Sequence, residues 1–264
     1  MGREGEAAGM DKVAFAIAAH PDDIEFMMAG TLLLLGRAGW KLHYMNVANG
    51  SCGTGEAGRE EIVAVRAEEA RAAAELAGAT FHPPLVNDFE IFYEAGLLGR
   101  LAAIVRRVNP EILLVPAPND YMEDHANAAR LAVTAAFVRN MPNFPTDPPT
   151  PPVEGRLAIY HAMPVGLTDP LRRPAAAELY VDISAVLEGK RRMLACHASQ
   201  KEWLDRSQGI GSYLKSMEET SARVGRLSGR FAHAEGWRRH AHLGFGPEEF
   251  DPLGDALGDR ALRP

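Results

Sequence analysis

The chain has 264 residues, 47% of them hydrophobic, with 28 Lys and Arg against 35 Asp and Glu for a formal net charge of -7. That length and apolar content can bury one large α/β core. The acidic balance argues against a partner with a phosphate backbone, which needs clustered cations, and no stretch approaches the roughly 18 apolar residues of a membrane span.

Residues 1–11 read as a polar tail with no apolar core of a signal peptide, so an unexported, cytoplasmic protein is expected. Lys12 to Ala19, KVAFAIAA, is continuously apolar, the form of a parallel strand covered on both faces. Ile24 to Ala38 follows as a buried helix stopped by Gly39, then Lys41 to Asn49 as a strand and Glu60 to Leu76 as an Ala/Glu/Arg helix closed by Gly78. A short strand near Phe81, a helix over Leu97 to Val108 and a buried strand in EILLVPAP, Glu111 to Pro118, continue the alternation. Strand and helix in this order imply a parallel sheet with right-handed crossovers, a doubly wound α/β frame with helices on both faces.

A helix over about Asn127 to Arg139 leads into Met141 to Pro152, whose six prolines forbid helix and central strand and suggest a rim or lid. Strands are expected at Arg156 to Met163 and Glu178 to Ile183, then a helix over about Ala185 to Leu204. From about 206 to 264 the chain is polar and glycine-punctuated and reads as an irregular C-terminal extension. Cys52 and Cys196 lie outside any CxxC pair and read as reduced thiols.

In open α/β sheets ligands bind beyond the carboxyl ends of the strands. Two such ends carry clustered ligand-type residues, HPDD after the first strand and NDYMEDH, Asn119 to His125, after the strand at 111–118. His20 and Asp23, three apart across a turn stiffened by Pro21, converge if a helix starts near Asp22. With His125 they make two histidines and a carboxylate, the ligand set of a catalytic zinc that keeps a fourth position for water. Asp22 is then the spare carboxylate and the natural general base, because zinc lowers the pKa of its water from 15.7 to roughly 7 and a neighbouring carboxylate takes the remaining proton. That chemistry is metal-assisted amide hydrolysis. A His/His/Asp set also accepts Fe(II) or Co(II).

AHPDDIEFMMAGTLLLL, with the later DH of Asp124 and His125, resembles the PIG-L / LmbE-like family of zinc-dependent N-deacetylases. VRAEEARAAAELAGA, Val65 to Ala79, and CHASQ, Cys196 to Gln200, are similar to further family segments, so the resemblance spans Lys12 to about Gln200. It implies a single Rossmann-like domain that removes the acetyl group from an N-acetylglucosamine-like moiety. It also implies zinc held by His20, Asp23 and His125, Asp22 as base, Arg66 and Asp88 near the sugar, and homo-oligomers as in many members. One departure stands out. The family's second motif commonly reads His-x-Asp-His, its first histidine stabilising the oxyanion, and this chain has Met122 there; losing one oxyanion donor typically costs about 10²- to 10³-fold in rate. His240 and His242, two apart in RRHAHLGF, and the Tyr121 hydroxyl are the candidate replacements, with His242 carried as the working choice.

Each feature also has a plainer reading. Asp22 or Asp23 could be a helix N-cap, and Asp124 could cap the helix that carries His125 or orient a neighbouring ligand. His43 reads as core, His82 as surface, His161 as a strand-end neighbour of the site and His197 as ordering local backbone; Met27 and Met28 read as packing. The loop NGSCGTGEAG, Asn49 to Gly58, lacks the Lys and spacing of a phosphate cradle, which weighs against a nucleotide-dependent transferase. The remaining rival is a catalytically silent metal-holding homologue, for which Met122 is the argument.

Overall fold

The computed structural model describes residues 12–53, 57–201 and 213–264. Among these described residues eight strands form one sheet in the order β3-β2-β1-β4-β5-β7-β6-β8. They are β1 (Val13–Ala18), β2 (Lys41–Asn46), β3 (Ala79–His82), β4 (Ile112–Val115), β5 (Ala158–Ala162), β6 (Leu179–Asp182), β7 (Ala234–Arg239) and β8 (Ala261–Leu262). The first five in spatial order run parallel, and β7 pairs antiparallel with both β5 and β6.

The apolar run of β1 is explained by burial on both faces. Ala14, Ala16 and Ala18 pack with Ile24, Leu32, Leu35 and Ala74 on one side, while Val13, Phe15 and Ile17 pack with Leu101, Ala128, Leu131 and Ala132 on the other. The first side carries α1 (Asp23–Met27), α2 (Ala29–Arg37), α3 (Arg59–Leu76) and α6 (Leu187–Ala195); the second carries α4 (Ala95–Val108) and α5 (Glu123–Phe137). After β3 the chain crosses beneath β1 to begin β4 on its other flank. The strand order therefore reverses between β1 and β4, and a crevice opens at their carboxyl ends.

The single helix expected over Ile24 to Ala38 is two, broken at Met28, whose φ of -134° is not helical. The break gives α2 its own N-terminus, where the Gly30 and Thr31 N–H groups donate to the two oxygens of the buried Glu235 carboxylate at 2.8 and 2.7 Å. Lys190 Nζ lies 2.6 Å from Glu235 Oε1 and neutralises it. These partners are about 160 and 205 residues along the chain, so the local 3.6-residue period contains no trace of the break.

The stretch after 206 is not an irregular appendage where it is described. It supplies α7 (Tyr213–Leu227), α8 (Pro252–Leu257), β8 and, inside the sheet, β7. AEGWRR in β7 lacks an apolar strand pattern because Glu235 is paired as above and Gly236 leaves room for Met163, whose Sδ would stand 2.5 Å from any Cβ there. Trp237 is fully buried and its Nε1 donates to Thr31 Oγ1 at 3.0 Å.

The helix expected over Ala185 to Leu204 is a 3-10 turn at Ser184–Val186 followed by α6, interrupted at Cys196 and His197 before another helical stretch over 198–201; positions 202–204 lie outside the described residues. The proline-rich stretch is irregular as expected, but it is no lid. Arg106, in the last turn of α4, donates to the carbonyls of Val138, Arg139, Met141 and Thr150, which ties the loop to the end of the sheet opposite the crevice. His82 is half-buried rather than on the surface, its Nε2 2.8 Å from His43 Nδ1 on the adjacent strand. Among the described residues no helix is long and apolar enough to cross a membrane.

Candidate metal centre

The β1–α1 turn and the β4–α5 loop bring His20, Asp23 and His125 together at the crevice, with one ligand-type atom of each within 4.8 Å of the others. His125 Nε2 is 3.3 Å from Asp23 Oδ1, and His20 Nδ1 is 3.6 Å from Asp23 Oδ2. The turn is held from both sides: the His20 N–H donates to Asp23 Oδ2 at 2.7 Å, and Asn46 on β2 donates to the His20 carbonyl at 2.6 Å.

Each imidazole has a second carboxylate on its far nitrogen. Asp124 Oδ2 accepts from His20 Nε2 at 2.9 Å and from the Phe89 N–H at 2.7 Å. Asp120 Oδ1 lies 2.9 Å from His125 Nδ1, and its Oδ2 accepts from the Val165 N–H at 3.0 Å. Such partners fix which ring nitrogen is left for a metal, here Nδ1 of His20 and Nε2 of His125. Asp124 is therefore not the cap of α5. It lies in the first turn, and the N-cap position is Met122 with no side-chain cap bond.

The charge balance fits a cation. Burial alone would lower the pKa of both histidines, yet hydrogen bonds donated to Asp124 and Asp23 raise His20 to about 9, and the Asp23 and Asp120 carboxylates raise His125 to about 11. Burial opposes ionisation of Asp23 as well, but the two imidazoles hold it well below the usual carboxylate range. Three carboxylates around two rings leave negative charge that protons or a divalent ion must balance, and two histidines plus one carboxylate is a three-ligand set with room for a further ligand.

Asp22 adjoins the triad with φ of 101°, a left-handed backbone that a non-glycine residue holds only at a cost of order 1 kcal/mol. Its carboxylate makes no cap bond to α1. Instead it accepts from the Tyr213 hydroxyl of α7 and faces Arg66 Nη2 at 3.6 Å. Burial raises its pKa, against the pull of Arg66.

Arg66 is 2% exposed and also donates to the Pro21 carbonyl, so it braces the turn from below. Asp88 accepts from the N–H groups of Gly50 and Cys52 at 2.7 and 2.8 Å. Those two amides of the glycine-rich loop are thus committed to a carboxylate rather than open to a phosphate. Gly50 has φ of +78°, and a Cβ on it would meet Arg66 Cδ at 2.5 Å, so the loop folds tightly over the guanidinium.

His242 is not at the centre. Strand β7 runs antiparallel to β5, so the chain beyond it travels toward the amino end of the sheet, where His242 lines a recess with Leu157, Ala158, Ile159 and Phe245. His161 and His240 instead lie beside the crevice, their Nε2 and Nδ1 atoms 3.0 Å apart. Tyr121, 61% exposed, packs its ring edge-on to His125 with centroids 5.5 Å apart. His197 is fully buried with its Nε2 3.4 Å from Glu25 Oε2, and Ser199 in the same segment bonds Glu69 of α3 through N and Oγ, both at 2.8 Å.

Asp120 and Tyr213 are the polar partners that motif reading missed. Asp120 could have been found as a carboxylate five positions before His125 in the same acidic loop. Tyr213 is 191 residues from Asp22 and carries no local signal.

Residues 15–136 match the family model PIG-L, described as GlcNAc-PI de-N-acetylase. The chain is 29% identical over 195 residues to the diacetylchitobiose deacetylase of Thermococcus kodakarensis, covering 72% of this chain and 70% of that one. It is 28% identical over 198 residues to the 4-oxalmesaconate hydratase of Pseudomonas putida, covering 72% and 74%. In fold it matches the solved N,N'-diacetylchitobiose deacetylase of Pyrococcus horikoshii, with a TM-score of 0.72 at 24% identity over 92% of this chain and 88% of that one. The Pseudomonas putida 4-carboxy-2-hydroxymuconate hydratase matches equally well, with a TM-score of 0.72 at 23% identity over 91% and 98%. The match to the PIG-L family model thus runs from β1 into α5, the segment that builds the whole triad.

Proposed function

We propose that this chain is a metal-dependent hydrolase that removes an N-acetyl or related acyl group from an N-acetylglucosamine-like substrate. The observation that carries the reading is the pairing of each triad imidazole with its own carboxylate, Asp124 on His20 and Asp120 on His125. A hydrogen-bonded surface cluster has no need of that arrangement, whereas metal-binding histidines regularly have it. The family description and the Thermococcus relative supply the reaction and the sugar.

In this reading His20 Nδ1, Asp23 and His125 Nε2 hold Zn²⁺ or a similar divalent ion. When bound, the ion polarises the amide carbonyl and acidifies water. Asp22 takes the proton of the attacking water and returns it to the leaving nitrogen, and a carboxyl with a raised pKa suits both halves of that task. Tyr213 and Arg66 keep Asp22 in its strained position. Tyr121, against His125, is the donor assigned to the developing oxyanion in place of the histidine that Met122 replaces. Arg66 and Asp88 act on the sugar through the loop at Gly50 to Cys52, which they anchor. The free thiols Cys52 and Cys196 accord with a cytoplasmic location.

A second reading is favoured by the hydratase relative, whose identity of 28% and coverage of 72% of this chain stand beside 29% and 72% for the deacetylase. The same carboxylate and cation could add water to an unsaturated carboxylate. Metal content by mass spectrometry, joined to amine release from N-acetylglucosamine derivatives by wild type and Asp22→Asn, separates the readings. Stoichiometric zinc with Asp22-dependent release supports the deacetylase. Absence of bound divalent metal refutes it. Zinc without release, together with loss of ultraviolet absorbance of a conjugated enol acid, favours the hydratase, and zinc with neither activity a silent homologue.

A further inference from the structure

Beyond the triad, a cleft of about 570 Å³ is lined by Ala117, Pro118, Ala162, Met163, His161 and His240 among others. Ala117, Ala162 and Met163 also line the recess that holds Asp23 and His125, so the two spaces adjoin across these residues. His161 and His240 border a neighbouring groove of about 500 Å³ along α5 as well. The histidine pair therefore stands where the non-reacting part of a substrate bound at the triad would extend.

The polarity of this pair follows from its anchor. His161 Nδ1 is 2.8 Å from the Pro116 carbonyl, which can only accept, so the His161 proton is on Nδ1. The Nε2 of neutral His161 is then an acceptor, and His240 Nδ1, 3.0 Å away, must donate to it. That leaves His240 Nε2 as a bare acceptor with no partner among the described residues. Burial lowers the pKa of both rings, His161 to about 4, which keeps the pair neutral near pH 7. A group of this polarity cannot donate to an oxyanion. It can accept from a hydroxyl.

We propose that His240 Nε2 is a specificity-determining acceptor for a hydroxyl on the substrate's non-reacting portion, and that His161 is the residue that positions it and sets its tautomer. The identity of the donor as a sugar hydroxyl rests on the deacetylase reading; the tautomer does not. A site built to take a hydroxyl discriminates against the analogue that lacks it.

Long-range ¹H–¹⁵N correlation spectra of histidine-labelled protein read the tautomer without turnover. His240 is expected as Nδ1–H in wild type and in His161→Gln, whose amide oxygen can still accept, and to revert toward Nε2–H in His161→Phe. Saturating N-acetylglucosamine should move the His240 Nε2 resonance, and one monodeoxy analogue should fail to. In amine release, His240→Ala should raise KM roughly 3- to 10-fold with kcat little changed and lose discrimination against that same analogue. A wild-type Nε2–H tautomer overturns the inference, as does an unmoved Nε2 resonance in a protein that still releases amine. Failure of every N-acetyl sugar to be cleaved overturns the deacetylase reading instead, and with it the sugar as the donor.

Discussion

Asp120→Asn tests whether the centre is a metal site, through a residue that touches no substrate. Both Asp120 oxygens are in use, Oδ1 at 2.9 Å from His125 Nδ1 and Oδ2 at 3.0 Å from the Val165 N–H. Asparagine has one acceptor for these two donors. If its NH₂ faces Val165, His125 keeps a neutral partner, and Zn²⁺ binding should fall toward the lower end of the 10- to 100-fold loss typical when such a partner is removed, about 1.4 kcal/mol. If the NH₂ faces His125, the ring must carry its proton on Nε2, the nitrogen aimed at Asp23, and the loss should reach about 2.7 kcal/mol or more. Asp124→Asn should act likewise through His20. Competition with a chromogenic chelator measures the affinity, and circular dichroism with a thermal melt of the metal-free protein checks the fold. Zinc affinity within about threefold of wild type in a folded Asp120→Asn protein would refute the assignment of His125 Nε2 as a ligand.

Other consequences follow from the packing. Lys190→Met leaves Glu235 buried without its cation; the two N–H donors of α2 remain, so the cost should lie near the lower end of the 3–5 kcal/mol range for broken buried pairs, read as a shift in urea midpoint, and a loss under 1 kcal/mol would contradict the role given to the pair. Gly50→Ala must displace Arg66 and strain a left-handed residue, so it should lower stability by roughly 1–3 kcal/mol and reduce activity through Asp22, whereas Gly39→Ala, strained but in open space, should affect only stability. The His43–His82 pair should make the protein acid-sensitive. Burial lowers both pKa values, His82 to about 4, so the unfolded chain binds more protons between about 6.5 and 4, and stability falls as pH drops through that window. The pair is only half-buried, so the loss should be on the order of 1 kcal/mol, and a pH-stability slope left unchanged by His82→Leu would discount it.

Much of this architecture was legible because it is written in local period and strand-end chemistry. The two-faced burial of β1 follows from an unbroken apolar run, and the triad follows from ligand-type residues at the ends of two strands that a doubly wound sheet must bring to one crevice. The proline-rich stretch was correctly irregular yet wrongly placed, since proline content says how a loop is built and nothing about which end of the sheet it covers. His242 was misplaced for a related reason: two histidines two apart share a strand face only if a strand continues, and β7 ends at Arg239, before either.

By itself the sequence determined the fold class and the clustering of His20, Asp23 and His125 with Asp22 beside them, because each depends on residues close in the chain and on a topology that alternation dictates. Only the tertiary structure decided what holds them. The break at Met28 depends on Glu235 and Lys190, the posture of Asp22 on Tyr213 and Arg66, and the tautomer of His240 on a Pro116 carbonyl more than a hundred residues before it. A hydrogen bond or buried charge is satisfied by whatever group the fold delivers within about 3 Å, and that distance in space leaves no mark along the chain.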